Sequence, residues 1–153
     1  LFRYREVSCR SNSRYLDALS VVRDPTVKVA ELDRITKSKR TPTGRSAKAF
    51  NPMSRDEMQL FQAMMNGGHC IHGFTNRDIR EQLDATPHLS RQRDPKRKSA
   101  KVSRILHRFH VHKLIAKIPR SRKWRTTRFG RRLMSTALQI RKQNFPQLLN
   151  CAA

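Results

Sequence analysis

One stretch near the C-terminal end, KLIAKIPRSRKWRTTRFG at residues 113–130, constrains the fold of this chain more than any other. It places a short apolar run before a basic turn, and a second run with Trp124 and two threonines after it. Two such runs around a turn predict a small β-hairpin. Thr127 can then cap a last helix. The predicted inner face of that helix consists of Leu133, Ala137 and Ile140.

A longer helix is predicted before the hairpin, from Pro95, a proline suited to a first helical turn, to about His112. Plotted at about 100° per residue, its sequence separates into an apolar and a basic face. The apolar, core-facing side consists of Val102, Ile105, Leu106 and Phe109. The opposite side consists of Arg97, Lys101, Arg104 and Arg108, with Ala100 and His107 between them.

Two further helices are predicted upstream from their start signals. Ser54 with Glu57, and Thr75 with Asp78, have the spacing of a capping box, in which a hydroxyl and a carboxylate satisfy free amides at a helix start. The Gly-Gly pair at 67–68 is predicted to end the first of these helices. The predicted order of elements is therefore three helices, a hairpin and a closing helix.

The chain is predicted to have four parts. These are an N-terminal helical segment at 1–36, a basic flexible linker at 37–52, a domain at 53–145 and a C-terminal tail at 146–153. The linker prediction depends on two prolines, one glycine and five lysines or arginines in KSKRTPTGRSAKAFNP.

The N-terminal segment is predicted to form two helices. An apolar stripe that includes Tyr4 and Val22 ends at Asp24-Pro25, and a second helix is predicted from Thr26 to Ile35. Because the chain begins at Leu1 with helix-like sequence, we expect it to be the C-terminal piece of a longer protein.

The charge of the chain is strongly unbalanced, with 34 lysines and arginines against 11 acidic residues and a net charge of +23. A charge of this size predicts a polyanionic partner, and nucleic acid is the first candidate. Residues 91–132 contain seventeen of these cations and a single acid, Asp94. The predicted partner surface therefore lies on the third helix and the hairpin.

The region from about Ser54 to Gln143 resembles the winged helix-turn-helix family. The resemblance rests on GFTNRDIREQL for the second helix, KVSRILHRFHVHKLIAKIP for the third helix and first wing strand, and WRTTRFGRRLM for the second wing strand and closing helix. It implies a mainly α fold with a small β-hairpin (α+β), preceded by the helical arm. Two departures from the family pattern are Lys113, where a glycine is common after the third helix, and a long loop at 84–95.

The resemblance also implies double-stranded DNA binding, with the third helix in the major groove and the hairpin as a basic wing on the backbone. The candidate contacts on the helix are Arg97, Lys101, Arg104, His107 and Arg108. The candidate contacts in the wing are Arg120, Arg122, Lys123 and Arg125. Trp124 is expected to pack the wing onto the core. The basic linker, including Lys39, Arg45 and Lys48, is expected to add phosphate contacts.

No catalytic, cofactor or metal site is predicted. The histidines near the end of the third helix lack the spacing of a zinc site, and His110 and His112 are expected in its last turn, where a cation suits the helix dipole. Cys70 has no evident activating base. The three separated cysteines indicate no disulfide framework and fit a reducing compartment. We expect a non-enzymatic, cytoplasmic protein, nucleoid-associated if bacterial, with no membrane partner.

Two other functions stay open at this point. One is a structural RNA-binding protein of ribosomal type, since extreme positive charge also suits structured RNA. The other is a dimerisation or docking module of a larger enzyme, with the N-terminal helices forming a homodimer. The favoured hypothesis is the DNA-binding module of a bacterial regulator or mobile-element protein.

Overall fold

A computed structural model describes residues 2–23, 29–41, 44 and 46–150. It is mainly helical with two small antiparallel hairpins, an α+β arrangement. The helices are α1 (Phe2–Arg23), α2 (Val29–Thr36), α3 (Arg55–Met64), α4 (Gly67–His72), α5 (Asn76–Leu83), α6 (Pro95–Val111) and α7 (Arg128–Asn150). The strands are β1 (Lys39–Arg40), β2 (Ser46–Ala47), β3 (Ile115–Lys117) and β4 (Trp124–Thr126).

Some sequence predictions fall outside the described residues. These are the helix stop at Asp24-Pro25, the helix start at Thr26, and Arg45. The side chain of Cys70 lies outside them too. Within the described ranges, no helix is long and apolar enough to cross a membrane.

The core forms where α3, α5, α6 and α7 bring their apolar faces together. The predicted inner residues Val102, Leu106 and Phe109 of α6 are buried there, with Leu133 and Ala137 of α7. Ile105 and Ile140 are only half-buried, and Ile105 packs against the edge of the cluster. Aromatic rings form its centre: the ring centroids of Phe50 and Phe109 lie 4.7 Å apart, edge to face.

The start of α5 and its packing against α6 follow from short polar side chains. Thr75 and Asp78 form the predicted capping box, with the amide of Thr75 donating to Asp78 Oδ2 at 2.7 Å. Asn76 then donates from its side-chain amide to the carbonyl of Ser99 at 3.0 Å and to the hydroxyl of Ser103 at 2.9 Å. These bonds fix α5 and α6 to each other across the turn between them.

Helix α6 begins at Pro95, as predicted, with Asp94 Oδ1 accepting from the amide of Lys96 at 2.9 Å. It ends in a Schellman motif, in which the amide of Leu114 reaches the carbonyl of Phe109 and that of Lys113 reaches the carbonyl of His110. Lys113 has φ of 61°, a left-handed conformation that favours glycine. The position predicted to need glycine therefore holds lysine in that conformation.

The hairpin β3–β4 confirms the prediction from the 113–130 stretch, with Ile115 opposite Thr126 and Lys117 opposite Trp124. A bridge between Phe74 and Trp124 ties the hairpin to the turn before α5, because each amide donates to the other's carbonyl, at 2.9 and 2.7 Å. Gly73 permits this approach: it has φ of 68°, and a Cβ there would lie 2.6 Å from the carbonyl oxygen of Trp124.

Helix α7 begins where the sequence predicts it, since the hydroxyl of Thr127 accepts from the amide of Gly130 at 2.9 Å. Gly130 lies directly against the backbone at the start of β3. A Cβ there would come within 2.0 Å of the carbonyl oxygen of Leu114. The glycine is therefore required by the close packing of α7 on β3.

Several local predictions were wrong. Ser54 precedes α3 but makes no side-chain cap, and the Glu57 carboxylate pairs with Arg108 instead of closing the predicted capping box. The pair at 67–68 begins the short helix α4, capped by Asn66 Oδ1 accepting from the amide of Gly68 at 3.1 Å, rather than ending a helix. The long polar loop at 84–95 contributes the fully buried Leu89 to the core.

The segment predicted as a flexible linker contains a short hairpin and a buried anchor at Phe50, although most of its described residues are exposed. Its described part forms the hairpin β1–β2, with Lys39 opposite Ala47. Phe50 is buried in the core, and its amide donates to the carbonyl of Ile35 at 2.8 Å. Buried aromatic and aliphatic side chains thus hold residues 46–50 against the domain.

Helix α1 contacts α4 and α7, yet leaves large apolar side chains in solvent. Tyr4 is 84% exposed, Val7 65%, Tyr15 47% and Leu16 64%. These four residues of the predicted apolar stripe are therefore not part of the core. A homodimer through these residues stays a prediction.

Candidate nucleic-acid interface

The outer face of α6 presents cations along its first three turns. Arg97 and Arg104 are exposed, and Lys101 is half-buried. Arg97 lies 3.8 Å from Asp94, a distance between exposed groups that gives a weak ion pair. Lys101 and Arg104 have no ion pair among the described residues, so their charges face solvent. Ala100, one turn before Arg104, is exposed, which leaves room for close approach.

Arg108 is different, although the sequence predicts it on the same face. Its guanidinium donates to Glu57 Oε1 at 2.7 Å, to the carbonyl of Lys48 at 3.0 Å and to the carbonyl of Ala49. It also lies over the ring of Phe50, 3.8 Å from the centroid. With its side chain only 16% exposed, Arg108 connects α6 to α3 and to the segment after β2. We therefore exclude it from the candidate interface.

The segment around β2 lies beside the outer face of α6. A groove of about 530 Å³ runs between them, lined by Ser46 and Lys48 on one side and by Ser103, Arg104 and His107 on the other. His107 is exposed at this groove. Sequence reasoning predicted basic contacts from this segment as a mobile arm. It missed that buried neighbours would fix Lys48 and Ser46 beside α6.

The tip of the β3–β4 hairpin is exposed and basic. The amide of Ile118 donates to the carbonyl of Lys123 at 3.0 Å, and the hydroxyl of Ser121 donates to the carbonyl of Ile118 at 3.0 Å. Arg120 has φ of 56° in this turn and is exposed, as are Arg122 and Lys123. The turn thus presents three predicted site residues to solvent on a hydrogen-bonded frame.

Arg125 lies on the other face of the hairpin. Successive side chains of a strand point to opposite faces, and Trp124 and Thr126, on either side of it, face inward. Trp124 faces α6: its ring centroid lies 5.4 Å from that of His110. Arg125 therefore points away from α6. The structure does not bring it together with the other predicted contacts.

Trp124 packs against the hydrophobic core, as predicted, and is half-buried. Lys117, its partner across the hairpin, lies above its ring at 5.9 Å from the centroid. His110 of α6 and Lys117 thus both contact the indole. This position favours a structural role for Trp124 over base stacking.

The two histidines predicted in the last turn of α6 have different environments. His110 is exposed beside Trp124, while His112 is fully buried, and its Nε2 donates to the carbonyl of Lys48 at 3.1 Å. Burial lowers the pKa of His112, and the charges of Lys39 and Arg108 lower it further against the raising effect of the carbonyl. The prediction that His112 acts as a cation at the helix end was wrong, because burial favours the neutral ring.

The described residues contain no cluster of three or more potential metal ligands. His69, which sequence reasoning left without a role, is nearly buried beside Phe74, with ring centroids 4.8 Å apart. Burial lowers its pKa despite the opposing charge of Asp78. Its Nε2 lies 3.3 Å from the side-chain amide of Gln82, a contact that joins α4 to α5.

Comparison with known proteins identifies no relative: no protein family, curated protein or solved structure gives a significant match.

Proposed function

We propose that this chain is a nucleic-acid-binding module that holds double-stranded DNA, with α6 in the major groove and the tip of the β3–β4 hairpin on the backbone. One observation carries the proposal: on the outer face of α6, between two basic hairpins, Lys101 and Arg104 have no ion-pair partner within the described part of the chain. Such charges destabilise a fold by mutual repulsion, and a polyanion offsets that repulsion.

The arrangement of elements supports a winged helix-turn-helix. Helices α5 and α6 are joined by Asn76, α6 is followed directly by β3–β4, and the bridge at Phe74 fixes the hairpin beside them. A groove-reading helix needs a rigid base, which the buried residues of its inner face supply. The role in a bacterial regulator or mobile element, and the cytoplasmic location, stay predictions.

Different residues have different tasks in the proposal. Arg97 and Arg104 lie where guanidinium groups can pair with guanine acceptors, and Ala100 can contact a thymine methyl. Lys101 and His107 flank them and bind bases or nearby phosphates. The hairpin-tip residues Arg120, Arg122 and Lys123, with Lys48 beside α6, bind phosphates. About four phosphate contacts predict a slope of log K against log salt of about −3.6.

The test measures binding of the full chain to duplexes selected from a random pool, by fluorescence anisotropy at several salt concentrations. Arg104→Ala should weaken binding to the selected duplex by about 10- to 100-fold and relax the choice of base. Arg122→Ala should weaken all duplexes alike and reduce the salt slope by about 0.9. Arg91→Ala, which removes an exposed charge outside the proposed contacts, is the matched control.

Absence of duplex binding at low salt would refute the proposal. Competition with structured RNA separates it from the RNA-binding alternative. If folded RNA displaces the selected duplex at equal concentration, and Arg104→Ala weakens every ligand equally, the protein holds backbones rather than reading a DNA groove.

A further inference from the structure

A pocket of about 300 Å³ lies on the side of the β3–β4 hairpin that faces away from α6. It opens between the end of α4 and the start of α7. Arg125 of β4, Arg128 and Arg131 of α7, and His72 of α4 line it, together with Thr127. Among the described lining residues, none carries a carboxylate. Three arginines and a histidine from three elements thus meet at one cavity.

Local geometry explains why these side chains converge. Arg125 points to this face because strand side chains alternate. Arg128 and Arg131 are three residues apart in the first turn of α7 and therefore lie on one side of the helix. His72 is the last residue of α4, and Gly73, whose missing Cβ lets β4 approach, brings that helix end to the hairpin.

The charges of Arg125 and Arg128 at this pocket oppose the stability of the fold. The N-terminal end of a helix carries a partial positive charge, which favours acidic side chains and disfavours cations. The first turn of α7 nevertheless contains arginines and no acid. Arg125 adds a further positive charge from the strand. A bound anion would relieve this repulsion.

The lining suits an oxyanion such as phosphate. Guanidinium groups form paired hydrogen bonds with phosphate oxygens, and Arg125 and Arg128 are both exposed at the pocket. Ile71 and Ile118 add an apolar side to it. Its volume lies at the lower end of the range for ligand sites, about 300–1,000 Å³, which suits a phosphate with one sugar better than a large cofactor.

We propose that this pocket binds a phosphate and its attached sugar, supplied by a nucleic-acid strand that passes the hairpin on the side opposite to α6. The proposal rests on the proposed function for the source of the phosphate. It extends that function because it adds a second binding face to the one at the hairpin tip, formed by Arg125 of β4 and Arg128 of α7. The protein would then contact a second stretch of backbone beyond the one at α6.

The test uses the full chain and a 5′-phosphorylated dithymidylate, which is too short to occupy α6 and the pocket together. The ligand should raise the midpoint of thermal unfolding by about 4 °C at ten times its Kd. The double substitution Arg125→Ala with Arg128→Ala should abolish this shift. Arg91→Ala with Arg93→Ala removes the same charge from exposed positions outside the pocket and should keep it.

A second readout needs no ligand. Removal of Arg125 and Arg128 relieves the repulsion at the start of α7, so the unliganded double variant should unfold at a higher temperature than the original chain. A lower unfolding temperature would contradict the electrostatic argument. Persistence of the dithymidylate shift in this variant would overturn the site.

Two other ligands test whether the pocket recognises both the phosphate and the sugar. Thymidine without phosphate should give no shift, and an equal shift would refute phosphate recognition. Inorganic phosphate should bind at least tenfold more weakly than the dithymidylate, because it lacks the sugar. Equal binding would assign the pocket to free phosphate and overturn the strand.

A further variant distinguishes failure of the proposed function from failure of the pocket proposal. Arg97→Ala with Arg104→Ala should abolish selection of duplexes and leave the dithymidylate shift unchanged. If that variant also loses the shift, the ligand binds at α6 and the pocket proposal is wrong. If no duplex binds while the shift responds only to Arg125 and Arg128, the proposed function alone fails.

Discussion

Arg108→Ala should destabilise the fold far more than removal of its exposed neighbour one turn earlier. The substitution leaves Glu57, whose side chain is only 13% exposed, without its ion-pair partner. It also removes the donors to the carbonyls of Lys48 and Ala49 and the cation over Phe50. Breaking a buried ion pair from one side costs about 3–5 kcal/mol.

Because this pair retains slight exposure, we expect a loss of about 3 kcal/mol in the free energy of unfolding. Urea denaturation followed by circular dichroism measures it. Arg104→Ala, at an exposed position, should change stability by less than about 0.5 kcal/mol. Combining Arg108→Ala with Glu57→Gln should recover at least about 1 kcal/mol, because the stranded charge is gone. A loss no larger than that of Arg104→Ala would refute the structural role of Arg108.

Three further predictions concern stability. Gly130→Ala should cost about 3 kcal/mol in urea denaturation, because its Cβ would clash with the carbonyl of Leu114, whereas Gly67→Ala, with open space around it, should be tolerated. Lys113→Gly should stabilise the fold by about 0.5–1 kcal/mol by relieving the left-handed conformation, and a loss in thermal unfolding would contradict this. The lowered pKa of His112 means that the unfolded chain binds a proton at this position first as pH falls. The free energy of unfolding should therefore decrease below about pH 6.5, and His112→Gln should reduce that decrease, leaving the part due to the lowered pKa of His69.

Signals within a few residues of each other predicted much of this fold. The limits of α6, the hairpin at 115–126 and the capping box at Thr75 all depend on local backbone chemistry. The left-handed Lys113 could also be located, because a helix that turns directly into a strand needs that conformation at one position. Local rules suffice where a residue's partners lie within one or two turns.

Residues with distant partners could not be predicted in this way. Arg108 lies on the basic side of the helical wheel, but its partners are 51 to 60 positions away along the chain. The same long-range contacts hold residues 48 and 49 of the predicted linker against α6. That Arg125 points away from α6 depends on the contact of Trp124 with His110 of α6, which the sequence does not predict.

At the junction between α6 and the segment after β2, the segment contributes only backbone atoms to the hydrogen bonds made by Arg108 and His112. Arg108 and His112 both bind carbonyl oxygens, those of Lys48 and Ala49, and neither bond involves the side chains at these positions. Any residue except one that distorts the local backbone can therefore occupy position 48 without loosening the joint. The groove beside α6 can change its chemistry from one variant to another while its geometry persists. A substitution at position 48 can therefore change the side chain that lies beside α6 without changing the fold.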